Sequence, residues 1–211
     1  MDSDFRAAPL SRGDIFREAH KLRDALGLSH CMAMPIVKVI EYGLPQLIEG
    51  FNYEIVDDGD MPGREAETKP MESKIAISQT TYSKAYNDDP HARFTLGHEI
   101  GHLILHTPES ISLAYEADVI SNIKTYEKPG WQADAFAGEF LAPTSLIMGL
   151  GVAEIERLFL VSHSVAMRQF DFAARKIWFG HCGQSGQQWL PGLEMPSLPW
   201  SHLRGGGQPM K

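Results

Sequence analysis

Two prolines bracket the stretch of this chain whose local structure its residues dictate most tightly. Asp89 and Pro90 make an N-cap and first-turn pair, and Pro108 stops any helix that reaches it. Between them Leu96, Ile100, Leu103 and Ile104 recur at steps of three and four, so the spacing predicts a helix over Arg93 to His106 with one apolar face. His98 and His102 stand four apart on it, one turn from each other on the same face, where both rings can converge on a single metal ion at about 2.0–2.1 Å from each nitrogen. Glu99 puts a carboxylate at the same rim, able to take a proton from water beside the ion. His98-Glu99-Ile100-Gly101-His102 is thus the HExxH arrangement of zinc-assisted peptide-bond hydrolysis, with His98 and His102 as metal ligands and Glu99 as general base. His106 continues the series, but along an unbroken helix it lies about 12 Å from His98, too far for all three rings to grip one ion. It is assigned a structural or second-site role.

Other segments frame this helix. Ile15, Ala19, Leu22 and Leu26 have helical spacing, with Gly27 as a C-cap, and a second helix is expected from Pro35 to a stop near Gly43. Phe51 to Val56 and Lys74 to Ser78 read as two short strands across a linker rich in Gly, Pro and charge. A further helix should run from Pro129 to the block at Pro143, with Thr144 as the N-cap of the next segment and a last helix from Ser162 to about Trp178. The expected fold class is therefore α+β: a mostly helical compact domain over residues 1–180, with a small sheet and the HExxH helix at its centre. Residues 181–211, rich in Gly and Pro, read as a flexible tail in which Trp189 and Trp200 are the only candidate anchors.

Composition excludes several classes. With 43% apolar and 22% charged residues the chain can bury a core. Its longest apolar run, Cys31 to Val37, is interrupted by Pro35 and falls far short of the ~20 residues a membrane helix needs. The 27 acidic against 19 basic residues, net charge -8, repel phosphate backbones, so direct nucleic-acid binding is not expected. The acidic start lacks a secretory pattern, and Cys31 and Cys182 form no CxxC pair, which together suggest a reducing cytoplasm.

Arg93 to His106, followed by Trp131-Gln132-Ala133-Asp134-Ala135-Phe136-Ala137-Gly138-Glu139-Phe140-Leu141-Ala142-Pro143, resembles the ImmA/IrrE family of zinc metallopeptidases, over about residues 10–180. The resemblance implies a compact helical fold with a small sheet, bound Zn²⁺, and a cytoplasmic regulatory protease. Its substrate would be a DNA-binding helix-turn-helix repressor. Val161 to Arg168 resembles a helix-to-helix element that such proteins carry, for which packing is expected over base readout.

The resemblance breaks at one position. Where the family pattern places a glutamate as third zinc ligand, this chain has Gly130. Asp134, one turn along the same helix, or Glu127, just before Pro129, are the alternatives, with Asp134 fitting the family's pattern better as a residue that orients a ligand imidazole. Gly130 also opens a second reading, a catalytically impaired binding module such as a toxin–antitoxin or prophage regulator.

Overall fold

The computed structural model describes residues 6–107, 111–112 and 124–182. Strand β1 (Arg6–Ala7) pairs antiparallel with a short strand at Ile111–Ser112, neither of which the sequence pattern announced. Helix α1 (Arg12–Ala25) starts at Ser11, whose hydroxyl accepts from the Asp14 N–H at 3.2 Å while the Asp14 carboxylate accepts from the Ser11 N–H at 3.0 Å. It buries Ile15, Ala19 and Leu22, and Gly27 takes a φ of 69° just past its end, as expected of that glycine.

Gly43 does not stop the second helical run. Helix α2 (Ile36–Lys38) passes through a π-helical turn (Val39–Gly43) into α3 (Leu44–Leu47). Gly43 keeps helical dihedrals, and a Cβ there would stand 2.5 Å from Leu26 Cδ2, so the glycine serves a close approach rather than a terminus.

The linker between the two expected strands contains a third. The sheet runs β2 (Asn52–Val56), β4 (Lys74–Ser78), β3 (Ala66–Lys69) in spatial order, with β2 parallel and β3 antiparallel to the central β4. Ile75 and Ile77 of β4 are buried, and β3 lies along the HExxH helix with Thr68 turned toward it. Ser78 ends the strand and caps α4 (Gln79–Tyr86), a helix too weak in apolar period to be read from sequence.

The HExxH helix α5 (Pro90–Leu105) forms as expected: Asp89 accepts from the Ala92 N–H at 2.9 Å and His106 is the C-cap residue. Arg93 pins its first turns from inside the core, donating to Met34 O at 2.9 Å, Leu160 O at 3.1 Å and Asp88 Oδ1 at 3.0 Å. Helix α6 (Pro129–Leu141) packs along α5. The seam between them is built from small residues. A Cβ on Gly101 would come within 3.0 Å of Ala133 Cα, and one on Gly97 within 3.4 Å of Ala137 Cβ, so these two glycines let the helices approach and bring the first turns of α6 against the histidine face.

Thr144 does not start a helix. Residues 144–149 are turns, and the Thr144 hydroxyl and N–H instead both donate to Glu139 Oε1. The next helix, α7 (Val152–Phe159), ends where Leu160 takes a φ of 53°, and α8 (His163–Cys182) follows. Val161 just before α8, and Val165, Ala166 and Gln169 in its first turns, are buried, so this element is used in packing.

The described residues as far as Lys176 form one compact unit, and the end of α8 from Ile177 lies in a second. The expected tail, apart from His181 and Cys182, falls outside the described residues together with Trp189 and Trp200. Among the described residues no helix is long and apolar enough to cross a membrane.

Candidate metal centre

On α5, His98 and His102 meet as their spacing requires: the two Nε2 atoms lie 2.9 Å apart. Two nitrogens bound tetrahedrally to one ion at about 2.0–2.1 Å would stand about 3.4 Å apart, so a small opening of the rings seats an ion between them. The other nitrogen of each ring is already engaged. His98 Nδ1 lies 2.8 Å from Asp134 Oδ1 on α6, and His102 Nδ1 lies 2.9 Å from His106 Nδ1. His106 Nε2 in turn lies 3.0 Å from Gln132 Oε1, and the Gln132 amide donates to Ala8 O at 2.8 Å and Tyr126 O at 2.7 Å. Asp134, three imidazoles and Gln132 thus form one continuous chain that leaves α6, runs along α5 and returns to α6.

Burial sets the electrostatics. His106 is fully buried, and the loss of water pulls its pKa down to about 4. His102 falls to about 2, first through burial and then through repulsion by the His98 and His106 rings. Both are neutral at physiological pH, the state a metal ligand needs. Glu99 is only 8% exposed, and burial raises its pKa above the ordinary carboxylate range, opposed by the Thr68 hydroxyl and by His98. Thr68 Oγ1 lies 2.7 Å from Glu99 Oε2 and 2.8 Å from the Glu99 carbonyl oxygen, so its one hydrogen can go to either.

The structure bears on each alternative for a third ligand. Gly130 is the second residue of α6 and has nothing to offer. Asp134 is committed to His98 Nδ1, the orienting role, and Glu127 accepts from the Lys124 N–H at 3.1 Å. Among the described residues no group of three or more His, Cys, Asp or Glu side chains is arranged to hold a metal ion. The donor set that fits an ion is therefore the pair of Nε2 atoms, each oriented from behind, with Glu99 beside them.

The sequence singled out His98, Glu99, His102 and Asp134, and the structure places His98 against both His102 and Asp134; the sequence did not point to Gln132 or Thr68. Gln132 sits inside the second block, and its spacing three residues from Pro129 at a helix start offered no polar signal. Thr68 lies on the strand hidden in the linker. His106, kept apart from the metal by distance, proves to touch His102 through its own ring.

The family model Peptidase_M78, the IrrE N-terminal-like domain, matches residues 78–150, a span that holds all of α5 and α6. Among solved structures, a Mycobacterium tuberculosis transcriptional regulator matches 75% of this chain at a TM-score of 0.50 and 13% identity. This chain spans 46% of that chain's length, and at such identity the match shows a shared fold. No curated protein matches the chain.

Proposed function

Proceeding from the ImmA/IrrE family assignment, which the match over residues 78–150 supports, we propose that this protein is a zinc-dependent endopeptidase acting on a regulatory protein, of which a helix-turn-helix transcriptional repressor is the expected kind. The observation that carries the reading is the 2.9 Å approach of His98 Nε2 to His102 Nε2, with the buried Glu99 carboxylate on the same helix near enough to feel the His98 ring. When bound, Zn²⁺ supplies a Lewis acid that polarises a peptide carbonyl and makes water easier to deprotonate near neutral pH.

The chain's own residues supply the rest. Asp134 and His106 hold the two imidazoles by their Nδ1 atoms, so that neither ring swings away from its partner. Burial makes Glu99 a stronger base than an exposed carboxylate, suited to take a proton from the attacking water and pass it to the leaving amine. Thr68 fits both protonation states. Its hydroxyl donates to Oε2 while Glu99 is charged, then turns its hydrogen to the Glu99 carbonyl and accepts from the protonated acid.

The experiment is to incubate zinc-loaded protein with a helix-turn-helix repressor of the same genome, beside a Glu99→Gln variant. Wild type is expected to yield fragments; the variant is expected to keep zinc and leave the repressor whole. Cleavage that survives Glu99→Gln removes this mechanism. A second reading rests on Gly130 and on the two-histidine donor set: a partner-binding module built on the protease fold. It is favoured if the repressor co-purifies intact and stays intact in the presence of Zn²⁺.

A further inference from the structure

The buried end of the histidine chain decides which nitrogen of His102 carries a hydrogen. The Gln132 amide has one sensible orientation. Its Nε2 donates to the carbonyls of Ala8 and Tyr126 at 2.8 and 2.7 Å, and turning it over would press its oxygen against both. Oε1 therefore faces His106 Nε2 as an acceptor, and that nitrogen carries the hydrogen. A neutral His106 then presents a bare Nδ1. At 2.9 Å from it, His102 Nδ1 must be the donor, which leaves His102 Nε2 bare. At the opposite end Asp134 accepts from His98 Nδ1, which leaves His98 Nε2 as the nitrogen turned toward His102. The Nε2 atoms of His98 and His102 then face each other at 2.9 Å, each ring held through its Nδ1. A metal ion seated between them is a group that both nitrogens can bind.

The geometry points to Gln132 as a positioning residue that, acting through His106, fixes His102 in its Nδ1–H tautomer and so aims the Nε2 lone pair at the metal position. The purpose of this device rests on the zinc reading above, whereas its geometry does not. Because Gln132 is tied to the main chain at Ala8 and Tyr126, the choice of tautomer is set by backbone that lies outside α5. Without that anchor the chain could run the other way, with His106 donating to His102 and His102 Nε2 donating to His98, placing a hydrogen where the metal belongs.

Long-range ¹H–¹⁵N spectra of the metal-free full-length protein, at neutral pH and with ¹⁵N-labelled histidine, read the tautomer directly. Wild-type His102 is expected as Nδ1–H. Gln132→Met keeps the length of the side chain and removes the amide, and is expected to shift His102 toward Nε2–H and to weaken Zn²⁺ binding by about 10- to 100-fold. Wild-type His102 found as Nε2–H overturns the inference, and so does a folded Gln132→Met with unchanged tautomer and zinc affinity. Should Gln132→Met fail to fold, the wild-type spectrum alone decides. An Nδ1–H signature in a protein that never saturates with Zn²⁺ would uphold the positioning role and remove the zinc reading, so the two fail separately.

Discussion

Helix α6 carries an ionisable cluster toward each end, and the two differ in how their hydrogen bonds close. Near its C-terminus the fully buried Glu139 accepts from His20 Nε2 at 2.8 Å, Thr144 N at 3.1 Å, Thr144 Oγ1 at 2.9 Å and Gln169 Nε2 at 3.0 Å. Every oxygen has a donor, and the cluster ties α1, α6 and α8 together as a structural staple. Near its N-terminus Gln132 and Asp134 anchor a histidine chain, buried at the His106 end and half-buried at His98, whose two middle Nε2 atoms meet. Buried polar groups that satisfy one another hold a fold; two ring nitrogens held from behind and turned on each other mark a place where a metal ion fits.

Three substitutions probe this contrast. The largest effect is expected from Glu139→Ala, which strands several buried donors: about 3–5 kcal/mol of unfolding free energy in urea titration, with zinc stoichiometry of the folded fraction unchanged. A loss below about 1 kcal/mol would break the contrast from the structural side. Gly101→Ala pushes a methyl against the Ala133 backbone and is expected to cost about 1–3 kcal/mol while also weakening zinc, because α6 carries Asp134 and Gln132 away with it. Asp134→Ala should do the reverse of Glu139→Ala. The side chain is 42% exposed, so unfolding free energy should move by no more than about 0.5 kcal/mol, while zinc affinity measured by calorimetry falls about 10- to 100-fold.

The smallest effect concerns pH, far from either cluster. The Asp58 carboxylate accepts from the Thr80 N–H and hydroxyl, which holds its pKa below the ordinary value. A depressed folded-state pKa means the contribution is present above the unfolded value of about 3.9 and is lost as pH falls through the folded one. Asp58→Asn should therefore lower stability slightly at neutral pH and flatten the acid limb of the stability curve below about pH 4. An unchanged acid limb would show that these hydrogen bonds carry no linkage.

What the sequence revealed follows from how far each signal reaches along the chain. Capping residues, prolines and the 3.6-residue period are local, so α1, α5, α6 and α8 were legible almost to their ends, as was the meeting of His98 with His102. The third strand was hidden because Ala66–Lys69 has no apolar alternation and gains its place by pairing with β4. Gly43 and Thr144 misled for the same reason: a helix-stop glycine and a cap threonine look alike in sequence whether they end an element or meet a partner elsewhere, here Leu26 and Glu139. The α+β class, the helical majority and the role of Asp134 came from local pattern and the family resemblance. The roles of Gln132, Thr68 and His106 came only from contacts between elements distant in sequence.

The central claim is that a cation sits between two imidazoles of α5 whose outer nitrogens are held from behind. Anomalous diffraction at the zinc edge, from the wild-type chain with one equivalent of Zn²⁺, tests it most directly. A single strong peak is expected at about 2.0–2.1 Å from both His98 Nε2 and His102 Nε2. A peak bound to only one of these rings, to an Nδ1 atom, or to other residues altogether would contradict it.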